Sequence, residues 1–428
     1  MKKMLLMLVI LIMSFTGCGK KEIKGKSKVV IEYWFGLGGK LGENMQKNIE
    51  NFNASQDKYE VKAIVQGSYS ETFQKLQAAM AANNAPAVVL LNSEKAFNIG
   101  KRDLTEGLDE MIQKDPGFNL DDLIGAFREQ VTYEGKIYGL PAYGTTQILY
   151  YNKKVLEENG FTLEDLKTWQ GLSRVAKAVT KKENGKTVYF GWEPMWGHNN
   201  LIDASLSNGA KYLNEDGTKV AINSEEWVEV WDQFRKWIHE DEIMRIHAGG
   251  QGWAYWYKTI DDVVQDRTLG YTGSAGDQGD LNFTKLAAAP QPGWKGNLAK
   301  PQAGAQVLVI PKGTMEREKE AAFAFMKYLT SSEVTAKWSM NTGYIAVRQS
   351  AKDTSEYKAY VEKNPQALVP LIQANTGSPD FFDPTKGKIL DALKIAADKV
   401  ELENIPAKVA LDEAAKRAQR DLNKILKK

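Results

Sequence analysis

The chain has 428 residues, of which 43% are hydrophobic and 26% charged, with 56 Lys and Arg against 54 Asp and Glu. That length exceeds what one core usually fills, so two lobes are expected. The charge balance is nearly even and the bases are dispersed among the acids, which gives no case for nucleic-acid binding. The sole cysteine, Cys18, leaves no pair for an internal disulfide.

In chain order, Lys2 and Lys3 precede an apolar run from Met4 to Met13, followed by Ser14-Phe15-Thr16-Gly17-Cys18. The run is too short to span a bilayer as a mature helix and has the layout of a signal peptide, assigned to residues 1–17. Small residues before the Cys resemble a bacterial lipobox, with Phe15 standing where Leu is usual. Cys18 is therefore expected as a lipidated mature N-terminus, anchoring an extracytoplasmic protein to the membrane. Residues 18–26, rich in Lys and Gly, read as a tether.

Val29 to Phe35, Glu60 to Val65 and Ala87 to Leu91 read as strands. They alternate with helical spacing over Glu43 to Phe52 and over Glu71 to Ala82. Such alternation indicates an α/β lobe with a largely parallel sheet, whose ligands sit beyond the strand C-termini. Those ends are Trp34 to Gly42, Gly67 to Tyr69 and Asn92 to Glu94.

Lys136 to Gly160 reads as a strand, a polar bend, a strand and a helix. Pro141 lacks an N–H and is not expected inside a sheet, and Asn152 is placed to cap the helix. Such a stretch can carry the chain between lobes and present Tyr143 and Thr145 in a cleft.

Trp169 to Thr180 reads as a helix capped by Thr168, and Thr187 to Trp192 as a strand. Seven of the 11 tryptophans lie between Trp192 and Trp256. Trp227, Trp231 and Trp237 share one face of a helix over Ser224 to His239 and are assigned to a core. Trp192, Trp196, Trp253 and Trp256 lie in Gly-rich segments outside that periodicity and are candidates for a cleft. Leu269 to Gly279 reads as a strand and a glycine-rich loop, and Gln306 to Ile310 as a strand. Helices follow over Glu316 to Leu329, Ser332 to Met340 and Ala407 to Leu426.

Gly-Leu-Pro at 139–141, then a polar segment, then Leu149-Tyr150-Tyr151-Asn152-Lys153 resemble the first interlobe crossing of the family 1 extracellular solute-binding proteins of bacterial ABC importers. Trp34-Phe35, Gly67-Ser68-Tyr69, Ala85-Pro86-Ala87, Thr168-Trp169, Gly304-Ala305 and Thr342-Gly343-Tyr344 extend the resemblance in order over nearly the whole mature chain. It implies a periplasmic-binding-protein-like fold: two lobes, each a mostly parallel sheet flanked by helices, joined by hinges. Lobe boundaries are expected at 27–143 with 306–349 for the first lobe, and 144–305 with 350–428 for the second. It also implies a monomer without catalytic residues, metal or cofactor, which delivers a small molecule to the transmembrane subunits of a permease.

A sugar needs aromatic faces for its C–H surfaces and polar side chains for its hydroxyls. Trp34, Tyr69, Tyr143, Trp192, Trp196, Trp253, Trp256 and Tyr344 are the candidate faces. Asn92, Glu94, Thr145, Ser274, Asp277 and Gln302 are the candidate polar contacts. For a glycerol-phosphate-binding relative, the resemblance carries over Tyr69, Gly304 and Tyr344. Glu94 matches with a shift of one residue, Ser274 matches loosely and Thr145 replaces a serine. A late Arg has no counterpart, only Lys386 and Lys388, and Lys lacks Arg's bidentate fork for phosphate. A sugar or oligosaccharide is therefore ranked above glycerol phosphate or its diesters.

Enzyme readings find little support. His239-Glu240 is not followed by a His at zinc-site spacing, and Gly273-Ser274-Ala275-Gly276 lacks the spacing of a nucleophile elbow. Gly36, Gly38, Gly39 and Gly42 open a helix but have Leu41 where a dinucleotide turn needs glycine. A carboxylate pair of a glycosidase is spatial, so a secreted carbohydrate-active enzyme stays as one alternative and a surface adhesin as another.

Overall fold

A computed structural model describes residues 28–250 and 254–427. The signal peptide, the tether with Cys18, and Trp253 lie outside the described residues.

The described residues build two large hydrophobic cores and two smaller clusters. In the first, β1 (Val29–Phe35) buries Ile31, Tyr33 and Phe35 on one face of the pleat. α1 (Gly39–Ser55) turns Met45, Ile49 and Phe52 inward. β2 (Tyr59–Val65) lies parallel to β1, and α2 (Tyr69–Ala81) starts at Ser68, whose side chain accepts from the Glu71 amide. β3 (Val88–Asn92) is buried on both faces and runs parallel to β1, and α3 (Ser93–Gly100) follows it directly.

Lys136–Ile137 forms a short strand against Thr132–Tyr133 as the sequence suggests, and β4 (Leu140–Asn152) then runs 13 residues without the expected polar bend. Pro141 sits at its second position, beside a register shift in the neighbouring strand. A strand start next to a bulge tolerates a missing N–H, so the expected break does not occur. The Asn152 side chain accepts from the Val155 amide at 3.2 Å and starts the next helix, as its sequence position suggests. Thr168 likewise caps α4 (Trp169–Val179), accepting from the Gly171 amide at 3.0 Å.

The second core gathers α4, α5 (His198–Ser207) and α6 (Glu225–His239) with later elements. Trp227, Trp231 and Trp237 are buried along α6, as the helical spacing requires. β5 (Glu193–Pro194), at one end of the sheet path, leads into α5, which carries Asp203. α7 (Ala254–Val264), β6 (Gly270–Ser274) and β7 (Leu286–Ala289) come next. β8 (Gln302–Val309) returns to the first core, where α8 (Glu316–Leu329) and α9 (Ser332–Thr342) pack. β9 (Ser378–Pro379) then pairs with the start of β8. α10 (Lys388–Glu401) and α11 (Ala407–Leu426) close the second core.

Among the described residues one nine-stranded sheet follows the path β2-β1-β3-β8-β4-β6-β5, with β7 beside β4 and β9 beside β8. Parallel pairing holds at β1-β2, β1-β3, β5-β6 and β8-β9. The pairs that carry the chain across are antiparallel: β3-β8, β8-β4, β4-β6 and β4-β7. The sheet is therefore mixed, because β4 serves both cores. Its first half pairs with β8, and its second half with β6 and β7. No described helix is long and apolar enough to cross a membrane.

Candidate functional site

Where β4 and β8 cross between the cores they floor a cleft of about 950 Å³. Thr145 stands opposite Gly304 in the β4–β8 register, and Thr146, Gln147, Gln302 and Gln306 extend the floor. Gly38, Leu41, Asn92 and Ser93 line it from the first core. Met195, Trp196 and Asn199 line it from the end of β5 and the start of α5, and Tyr255, Trp256 and Tyr257 from α7. The turn after β6 adds Ser274, Gly276, Asp277 and Asp280.

The aromatic wall is held by carboxylates. Trp196 donates its indole N–H to Asp398 Oδ1 at 2.9 Å, and Glu401, buried one turn on in α10, accepts the Gly197 amide at 3.0 Å. Trp256 donates to Asp277 Oδ1 at 3.0 Å, while Tyr271 donates to the other oxygen at 3.2 Å. Burial pushes the Asp277 carboxyl up to about 7 against the lowering effect of those two donors. Asp203 is also raised to about 7 by burial, although it accepts the Gln302 amide at 2.8 Å and Gln291 Nε2 at 2.7 Å.

Tyr344 follows Gly343, which ends α9 at φ +78. A side chain at Gly343 would also meet the Ala275 carbonyl at 2.9 Å, so both the conformation and the close approach call for glycine. The Tyr344 ring then rests against Gly276, where an added Cβ would lie 3.1 Å from Cζ. It thus reaches from the end of α9 to the turn after β6. Behind it, Tyr143 packs edge-on at 5.3 Å and shares a hydroxyl contact with Tyr69.

Of the residues singled out in the sequence, the cleft brings together Asn92, Thr145, Trp196, Trp256, Ser274, Asp277, Gly304 and Tyr344, with Gln302 beside them. Thr145 and Ser274 face each other across the crossing, hydroxyl to hydroxyl, at 3.2 Å. The other described candidates do not line it. Trp192 is fully buried and donates to Thr272 Oγ1 at 3.0 Å, and Tyr143 is buried in the first core. Tyr69 is half-buried behind Tyr143, and Trp34 is half-buried with its indole on Glu32. Glu94 is exposed in the first turn of α3.

Sequence reasoning missed Asp203, Asp280, Asp380, Gln147, Gln306 and the tyrosines of α7. The signal for α7 was weak because it begins beside a Gly-rich stretch. Its tyrosines nevertheless sit at helical spacing from Thr259, Ile260 and Val263, which it buries.

Neither Lys nor Arg is among the described residues that line the cleft. Lys386 and Lys388 lie outside it, the latter paired with Asp391 at 3.1 Å. Arg348 is buried and spends its guanidinium on the Asn119 carbonyl and Asp122. Away from the cleft, Glu193, His247 and Asp262 bring three ligand atoms within 4.8 Å of one another. Arg245 contacts both of these carboxylates, so the group is an ion-pair network already supplied with a cation.

The family described as bacterial extracellular solute-binding protein matches residues 47–365. The sn-glycerol-3-phosphate-binding periplasmic protein UgpB of Rhizobium meliloti is 25% identical over 422 residues, 90% of this chain and 92% of that protein. UgpB of Escherichia coli K12 is 24% identical over 421 residues, 93% of each chain. Among solved structures, the sugar-binding protein MalE of Xanthomonas citri superposes with a TM-score of 0.81 at 18% identity, covering 92% of this chain and 98% of that one. UgpB of Mycobacterium tuberculosis in complex with glycerophosphocholine gives 0.76 at 21%, covering 94% and 100%. The structural likenesses establish a two-lobed solute-binding fold.

Proposed function

The chain belongs to the bacterial extracellular solute-binding protein family, and from that premise we propose that it captures a sugar or oligosaccharide between its lobes for an ABC importer. The observation that carries this reading is the make-up of the cleft. Aromatic faces from Trp196, Tyr255, Trp256, Tyr257 and Tyr344 accompany amides, hydroxyls and carboxylates, with no cation among the described lining residues. Aromatic faces suit sugar C–H surfaces, and acceptors suit hydroxyls. A phosphate dianion would enter beside Asp203, Asp277, Asp280 and Asp380 without a compensating charge.

The mechanism is capture by closure. A ligand that touches both lobes only when they approach stabilises the closed form by that differential affinity. The lobe division at 27–143 with 306–349, against 144–305 with 350–428, belongs to this proposal, with β4 and β8 as its hinges. So do the permease partner, a monomeric state, the absence of catalysis and anchoring through lipidated Cys18. Detergent partitioning of wild type against Cys18→Ala checks the anchor: the wild type should enter the detergent phase and the variant should not.

Glycerol phosphate or its diesters are the second reading, favoured by the names of the full-length sequence relatives. Tryptophan fluorescence titrated with a panel of neutral oligosaccharides and with glycerol 3-phosphate separates the two. Saturable change with a saccharide is expected, and response to glycerol 3-phosphate alone reverses the ranking.

A further inference from the structure

One carboxylate of the cleft is fixed from both cores at once. Asp380 follows β9, and its Oδ2 accepts the Ser93 hydroxyl at 2.6 Å. It lies over Gly304, where an added Cβ would come within 2.7 Å of the same oxygen. The next two side chains clamp it. Phe381 stacks on Tyr212 of the second core with centroids 4.0 Å apart, and Phe382 stacks on Phe97 of the first side at 3.9 Å.

No ion pair involves Asp380, Asp203, Asp277, Asp280 or Glu94 among the described residues. Asp203 and Asp277 commit both oxygens to protein donors, whereas Asp380 Oδ1 has none among the described residues. Burial, aided by the charge of Glu94, raises the Asp380 carboxyl above the usual range, while the Ser93 hydroxyl lowers it. A cation arriving here would relieve that cost.

We propose that the cleft selects a saccharide bearing a protonated amine, with Asp380 receiving the ammonium. This inference rests on the saccharide reading above. An ammonium brings three donors and a positive charge to a cleft lined by Asp203, Asp277, Asp280 and Asp380, and aromatic faces attract a cation as well as a sugar ring. A neutral hydroxyl satisfies the same acceptors without answering their charge.

The test is calorimetric titration at low ionic strength with three disaccharides that share one ring skeleton: cellobiose, the glucosamine disaccharide and its N-acetylated form. The amine is expected to bind at least about tenfold tighter than either neutral sugar, as charge-assisted hydrogen bonds are about twice as strong as neutral ones. In Asp380→Asn that ratio should fall towards one. Equal or weaker binding of the amine by wild type, or an unchanged ratio in the variant, overturns the inference and leaves saccharide capture standing. Silence towards all three overturns it too, and glycerol 3-phosphate binding in the same preparation then removes the saccharide reading. The wild-type comparison is decisive alone should Asp380→Asn fail to fold.

Discussion

Two groups of tryptophans beyond α4 contrast in how their indoles are held. Trp192, Trp227 and Trp231 are fully buried and donate to neutral oxygens: Thr272 Oγ1, the Lys211 carbonyl and Ser205 Oγ. Trp196 and Trp256, half-buried on the cleft, donate to Asp398 and Asp277. Trp294 is the intermediate case, buried but donating to Glu229 at 3.2 Å. A core indole is positioned by packing on all sides. A wall indole has one face open, so a charged acceptor supplies the orientation that packing does not.

The contrast breaks most visibly if core and wall are each truncated. Trp231→Ala should cost about 3–5 kcal/mol of stability, read by denaturant unfolding, because it empties a packed site. Trp256→Ala should instead weaken saccharide binding by about 1–3 kcal/mol in titration, with a smaller loss of stability than Trp231→Ala. Tyr344→Ala should fall in the same range for binding. Comparable stability losses at all three positions would erase the distinction.

The pinning carboxylates sharpen it. Asp398→Leu removes the acceptor of Trp196 and should cost about 1 kcal/mol of binding, while Asp398→Asn, which keeps an oxygen, should cost less. Identical effects of the two variants would mean that Asp398 does not orient the indole.

A different readout is a slope. Asp203 titrates near 7 in the fold against an ordinary value of 3.8. The folded chain therefore keeps a proton that the unfolded chain has lost between those limits, so this group's contribution falls as pH rises from about 4 to 7. Asp203→Asn should flatten the dependence of Tm on pH in that window. An unchanged slope would show that Asp203 ionises normally.

The sequence made the regular parts of this contrast legible. Spacing on α6 put Trp227, Trp231 and Trp237 inside, and side-chain chemistry placed the caps at Asn152 and Thr168. It was less informative where long-range pairing decides. Pro141 suggested a break that pairing with β8 overrides. Trp192 and Trp196 are four residues apart in similar surroundings, yet one closes a core and the other a cleft, because Trp192 bridges to Met244 just before β5 and Trp196 lies in the bend after it. Asp380 carried no periodic or motif signal; its role depends on two stacks with residues far away in the chain.

The central claim is that the lobes close on a saccharide at the β4–β8 crossing. Small-angle scattering with and without a saturating saccharide from the titration panel measures it directly. A fall in the radius of gyration with that sugar, and none with glycerol 3-phosphate, is the predicted result; an unchanged radius with bound sugar would contradict the account.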